Sequence, residues 1–66
     1  MSQNEQILAH LQAGNTLTHA EAMRKFGIGR LAARVEELRR RGHAISTEMA
    51  HEGSKQWAVY RMERAR

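Results

Sequence analysis

The sequence predicts a mainly α domain that ends in a β-hairpin (an α+β fold), with three helices followed by two strands. Apolar residues recur at helical spacing in three segments before Gly42, and polar and apolar residues alternate after it. A glycine also stands at the end of each helical segment. With 66 residues and no cysteine, the chain is expected to form one domain over residues 1–66, without disulfides or thiolate metal sites.

The first helix is expected over about residues 4–13, with an apolar face formed by Ile7, Leu8 and Leu11. Either Ser2 or Asn4 can cap its start, and Gly14 stands where a C-terminal cap belongs. Leu17 is then an isolated apolar residue in a context that favours a strand of one or two residues.

The second helix is expected to begin at Thr18, because Thr18 and Glu21 fit the capping box in which each side chain satisfies the other's backbone N–H. Gly27 ends it after about eight residues, with a positive φ. Its inward face is expected to consist of Ala22, Met23 and Phe26.

The third helix is expected over about residues 29–41, with Ile28 plugging the turn before it and Gly42 closing it. Its buried stripe is predicted from the i, i+4, i+7 spacing of Leu31, Val35 and Leu38. The opposite face is then expected to carry Gly29, Arg30, Ala33, Arg34, Glu37 and Arg41.

The remaining chain predicts a hairpin, with one strand over residues 45–50, a turn around Gly53, and a second strand over residues 56–62. Both faces of the second strand are apolar, so the pattern leaves open which face meets the helices. Trp57 is expected in the core. On the outer face it would be a candidate contact with a partner protein or a second subunit. The tail over residues 63–66 is expected to fray.

The second and third helices, joined by the turn at Gly27, have the layout of a helix-turn-helix, whose second helix can enter the major groove of DNA. A hairpin that directly follows a helix-turn-helix is the wing of a winged helix domain. The chain resembles the small winged helix-turn-helix proteins of bacteriophages and prophages. The resemblance rests on N-x-x-I-L-x-x-L-Q-x-G at residues 4–14, L-T-x-x-E-A at 17–22, F-G-I-x-R-L-A-A-R-V-x-x-L-R-x-x-G-H at 26–43 and Y-x-M at 60–62. It implies a DNA-binding protein of a phage or mobile element, and it supplies no catalytic residue.

The charge is uneven along the chain. The net charge is +4, from 11 Lys and Arg against 7 Asp and Glu. Residues 1–28 are neutral, whereas residues 29–66 hold nine basic and five acidic side chains. A basic balance on one part of a small domain favours a polyanionic partner, here double-stranded DNA.

Four residues of the third helix are candidates for reading bases. Arg30 and Arg34 can reach guanine, Ala33 between them allows close approach, and Glu37 can accept from cytosine. The alternative is a solvated face on which Glu37 pairs with Arg30 or with Arg34.

The other candidates would contact phosphates. Arg24 and Lys25 lie on the helix that crosses the DNA backbone, Arg41 shares the face of Arg34, and Lys55 is the basic residue near the hairpin tip. Thr18 and His19 could meet a phosphate through backbone N–H groups. Glu48 and Glu52 near the tip depart from a phosphate-binding wing.

No metal, cofactor or enzymatic activity is expected, because the four histidines are unpaired in sequence and no coherent catalytic set is present. The apolar runs are too short for a membrane helix, and a cytoplasmic location is the default. A homodimer on paired half-sites remains open. The alternative function is a phage-encoded inhibitor that binds a host protein through the same scaffold.

Overall fold

Within residues 2–63, which the computed structural model describes, three helices precede a hairpin that belongs to a three-stranded sheet. The elements are α1 (Gln3–Gln12), β1 (Leu17–Thr18), α2 (His19–Phe26), α3 (Leu31–Arg40), β2 (Ile45–Glu52) and β3 (Lys55–Met62). The predicted fold class is confirmed. No helix in this described part of the chain is long and apolar enough to cross a membrane.

Reciprocal capping boxes begin the first two helices. At α1 the cap is Ser2 rather than Asn4: its Oγ accepts from the Glu5 N–H at 3.2 Å, and Glu5 Oε1 accepts from the Ser2 N–H at 2.9 Å. At α2 the predicted box is confirmed, with the corresponding distances between Thr18 and Glu21 at 3.2 and 3.0 Å. Each helix therefore starts with two backbone N–H groups satisfied locally.

A four-residue turn joins α2 to α3. Gly27 ends α2 with φ 68°, as predicted, and Ile28 is fully buried as the plug between the helices. The predicted start of the third helix at residue 29 is wrong by two residues. Arg30 has φ −128° and ψ 55°, outside the helical region, so Gly29 and Arg30 belong to the turn.

The sheet is antiparallel with the order β1–β3–β2. Leu17 pairs with Tyr60, and Ile45 pairs with Met62, so the short strand after the first helix joins the hairpin. The hairpin turns through Gly53 and Ser54, and Gly53 has the positive φ of 62° that glycine tolerates best.

The core lies between the three helices and the inner face of the sheet. Phe26, Tyr60 and Met62 are half-buried and pack against it. Its buried members are Ile7, Leu11, Leu17, Ala22, Ile28, Leu31, Val35, Leu38 and Ile45.

Two expected core residues are exposed. Met23 is 51% exposed, because the buried side of α2 runs through Ala22 and Phe26 and Met23 lies about 100° around the helix from Ala22. Trp57 is 40% exposed. Side chains alternate along a strand, so packing Tyr60 and Met62 against the core turns Trp57 to the outer face.

The expected frayed tail falls mainly on residues 64–66, which lie outside the described residues. Glu63, the one tail residue that is described, donates its backbone N–H to the Ala44 carbonyl at 2.8 Å. The pairing of the hairpin therefore continues one residue beyond β3.

Candidate nucleic-acid interface

The start of α2 and the start of α3 border a shallow depression with a volume of about 360 Å³. Three predicted site residues, His19, Arg30 and Ala33, meet there. The other lining residues are small or apolar, namely Gly29, Leu31 and Ala32. Because Gly29, Ala32 and Ala33 have small side chains or none, a DNA strand can approach the backbone closely here.

The exposed face of α3 differs from the expected one. Ala32, Glu36 and Arg40 are exposed, whereas Ala33, Arg34 and Glu37 are half-buried. On a helix whose buried stripe runs through Leu31, Val35 and Leu38, positions 34 and 37 lie on the flank rather than directly opposite the core. Here that flank adjoins α1.

Arg34, Glu37 and Asn4 form one polar network between α3 and α1. Glu37 Oε1 accepts from Arg34 Nη1 at 3.1 Å and from Asn4 Nδ2 at 3.0 Å. Of the two partners considered for Glu37, the structure therefore selects Arg34. Asn4 is only 8% exposed. Within the described residues, Asn4 Oδ1 and Arg34 Nε are buried without a hydrogen-bond partner.

This network keeps the Glu37 carboxyl ionised. The hydrogen bond from Asn4 lowers the pKa of Glu37 most, and the positive charge of Arg34 lowers it further, against the opposing effect of desolvation. The arrangement gives α3 a carboxylate that can hold an arginine side chain or accept from a base amino group.

Arg39 connects α3 to the sheet. Its Nε donates to the Ile45 carbonyl at 2.9 Å and its Nη2 to Thr47 Oγ1 at 2.7 Å, while Nη1 lies 3.3 Å from Glu36 Oε1. From the sequence, the run Arg39, Arg40 and Arg41 predicts a favourable interaction with the helix C-terminus, with phosphate contact as a further possibility, foremost for Arg41. The contact with β2 is a structural role that sequence reasoning missed.

Several basic side chains lie at the surface without such contacts. Arg30, Arg40 and Arg41 are exposed and make no side-chain ion pair within residues 2–63. Arg41 lies close enough to α1 to contribute to the lowered pKa of Glu5, which is caused chiefly by hydrogen bonding with Ser2. These three cations give the ends of α3 a positive potential.

The remaining predicted contacts are spread around this centre. Arg24 and Lys25 are exposed in the last turn of α2, and Lys55 stands at the hairpin tip opposite Glu52. The Thr18 backbone N–H already donates to Glu21. The Thr18 N–H is therefore not free in this structure to make the expected hydrogen bond to a phosphate.

Asn4 is the site residue that sequence reasoning missed. It shares the buried side of α1 with Ile7 and Leu11, at i, i+3 and i+7. A polar residue in a buried helical stripe requires a hydrogen-bond partner. That pattern could have indicated the contact, although it could not have identified Glu37 as the partner.

Among residues 2–63, no group of three or more His, Asp or Glu side chains is placed to hold a metal ion. His10 instead lies 2.9 Å from the Thr16 carbonyl through Nε2 and meets the Phe26 ring edge-on. These contacts are structural.

Comparison with known proteins agrees with this geometry. A family model described as a winged helix-turn-helix domain matches residues 2–65, nearly the whole chain. Searches of curated proteins and of solved structures returned no match. Winged helix-turn-helix domains indicate DNA binding and are typically not enzymes. With its helix-turn-helix, its hairpin and this match, the chain belongs to the winged helix-turn-helix domain family.

Proposed function

We propose that the chain is a sequence-specific DNA-binding protein of a phage or mobile element. It acts as a small transcriptional regulator or a recombination directionality factor, in the cytoplasm of the host. In this proposal α3 enters the major groove and the hairpin lies beside the adjacent backbone. The observation that carries it is the depression at the start of α3, bordered by small residues and by Arg30 and His19. The resemblance to small phage proteins supports the genetic origin.

Base readout is assigned first to Arg30 and Ala33. Arg30 is exposed beside the depression, and its guanidinium can donate two hydrogen bonds to guanine. Arg34 and Glu37 act as a pair. To reach a base, Arg34 breaks its hydrogen bond to Glu37 and forms one to DNA, while Asn4 continues to donate to the Glu37 carboxylate. Glu37 can also accept from a cytosine amino group.

Phosphate contacts are assigned to the exposed cations around this centre. These are Arg24 and Lys25 on α2, and Arg40 and Arg41 at the end of α3. The hairpin contributes little positive charge, because Lys55 faces Glu52 and because Glu48 pairs with Arg61. A single domain of this size makes a small interface, so two copies on paired half-sites are expected.

The direct test is a titration of labelled random duplex DNA at several salt concentrations, followed by fluorescence anisotropy. Log affinity should fall linearly with log salt, with a slope of several phosphates. The Arg40→Ala variant should reduce the slope by about one. Gln12→Ala, at an exposed position of α1 that lies outside the proposed DNA interface, is the control and should leave the slope unchanged. Absence of binding at low salt would refute the proposal for this chain.

A second function is favoured by one observation, the exposure of Trp57 beside the acidic residues of the hairpin. In this alternative, the scaffold is a phage-encoded inhibitor that binds a host protein. A stable complex with a host protein that resists salt, together with no shift of any DNA, would select the inhibitor over the regulator.

A further inference from the structure

The outer face of the sheet, which points away from the helices, carries a short apolar strip. Residues directly opposite on paired strands share a face, so the register sets Ala50 beside Trp57, with Val59 two residues along β3. Trp57 is 40% exposed. The helix α3 packs through Leu31 and Leu38 into the core, on the other side of the sheet. The strip is therefore separate from the proposed DNA interface.

Around this strip, the acidic side chains lie on one strand and the basic side chains lie on the other. The two acidic residues of this face, Glu48 and Glu52, are on β2, and the two basic residues, Lys55 and Arg61, are on β3. Glu52 stands opposite Lys55, and Arg61 forms an ion pair with Glu48. The outer face is thus neutral, which does not suit phosphate, and it presents one acidic and one basic column.

We propose that this outer face is a homodimer interface, in which two copies pack sheet against sheet about a two-fold axis parallel to the strands. Such an axis lays β2 of each copy over β3 of the other. Glu52 then faces the second copy's Lys55, and Glu48 lies near its Arg61. A two-fold axis across the strands would instead set acidic column over acidic column, so the charge pattern selects the parallel axis.

The shapes of the central side chains fit the same axis. Trp57 lies on β3 level with Ala50 on β2, so each indole would lie over the second copy's Ala50. The methyl side chain of alanine leaves room for a large ring. Buried tryptophans are frequent centres of binding energy at protein interfaces.

The other route to a dimer, pairing along the free edge of β2, fits less well. β2 is an outer strand of the sheet, since the order is β1–β3–β2. The guanidinium of Arg39 covers the beginning of that edge, where it binds the Ile45 carbonyl and Thr47 Oγ1. A partner strand that paired there would have to displace the hydrogen bond to the Ile45 carbonyl and move the Arg39 side chain aside.

The proposed dimer has a consequence for DNA recognition, which rests on the proposed function. Both hairpin tips point in one direction, and both α3 helices lie on the outside. With layers spaced about 10 Å apart, the two helices are on the order of 30 Å apart, comparable to one turn of DNA. The dimer itself does not depend on DNA binding and is tested without DNA.

The first test is sedimentation equilibrium of the purified chain, without DNA, from micromolar to near-millimolar concentration. The mass should rise from 7.6 kDa towards twice that value. Trp57→Ser should weaken dimerisation at least about tenfold. Met23→Ser is the matched control, because Met23 is 51% exposed on α2 and should leave the dimer intact. A monomer throughout, or an unchanged dimer in Trp57→Ser, would overturn the proposal; the latter would point to the β2 edge.

The second test uses charge complementation and does not depend on Trp57. Lys55→Glu makes the tip end of the face wholly acidic, and Glu52→Lys makes it wholly basic. Each variant alone should dimerise more weakly than the wild type, and an equimolar mixture should form a heterodimer at least as tight as the wild-type dimer. Circular dichroism confirms that both variants fold. Failure of the mixture to associate better than either variant would contradict the proposed axis.

Discussion

Asn4 Nδ2 lies 3.0 Å from Glu37 Oε1, which joins the first turn of α1 to α3 across 33 residues of sequence. The same carboxylate oxygen accepts from Arg34. The position of a candidate DNA-reading side chain is thus coupled to a residue of another helix.

Replacing Asn4 by alanine should destabilise the fold. The variant removes a largely buried donor and leaves Glu37 without one of its two partners, so a loss of about 1–3 kcal/mol in the free energy of unfolding is expected. Urea unfolding followed by circular dichroism measures it. Gln12→Ala, at an exposed position of the same helix, is the control and should change stability by less than about 0.5 kcal/mol. Equal effects of the two variants would show that the Asn4 contact contributes nothing.

The pKa of Glu37 should return towards its ordinary value in the Asn4→Ala variant, because the hydrogen bond from Asn4 is the largest cause of its lowering. A depressed folded-state pKa stabilises the protein above the unfolded pKa, and that stability is lost as the pH falls through the folded pKa. The variant should therefore lose less stability on acidification than the wild type. An NMR titration of the Glu37 carboxyl checks the shift, and identical titration curves would contradict it.

Gly27 and Gly29 should respond differently to alanine. Gly27 has φ 68° with nothing within 4 Å of an added Cβ, so Gly27→Ala should cost about 1–2 kcal/mol through backbone strain alone. At Gly29 an added Cβ would lie 3.6 Å from Met23 Sδ, an ordinary contact, and no positive φ is involved. Gly29→Ala should be nearly neutral. Thermal unfolding of both variants compares them directly, and equal losses would mean that conformation at residue 27 is not the cause.

Arg34→Ala should relax or abolish the preference for a selected DNA site, whereas Arg24→Ala should weaken binding to all sequences alike. Glu37→Gln is the informative companion, because it removes the negative charge that holds Arg34 and retains a hydrogen-bond acceptor for Asn4. It should change site preference while leaving most of the non-specific affinity. Competition between specific and random duplexes measures these effects. Unchanged site affinity in Arg34→Ala would exclude Arg34 as a reader and leave the role to Arg30.

Features that depend on neighbouring residues could be predicted from the amino-acid sequence. The Thr18–Glu21 capping box and the left-handed Gly27 rest on interactions within a few residues, and both are confirmed. The buried Ile28 and the hairpin were predicted from local turn and alternation patterns, and both are confirmed. The position of the third helix was predicted to within two residues at its start and one at its end. Caps and helical periodicity can be recognised in a sequence because the residues that form them are close along the chain.

Features that depend on partners far away in the sequence became visible only in the folded chain. β1 joins the sheet because Leu17 pairs with Tyr60, and Trp57 turns outward because Tyr60 and Met62 face the core. Likewise Arg34 lies beside α1 because Asn4 holds Glu37 there. Which side of a strand or helix becomes buried is set by the summed packing of the whole core. When both faces of a strand are apolar, as in β3, the sequence pattern does not determine which face is buried.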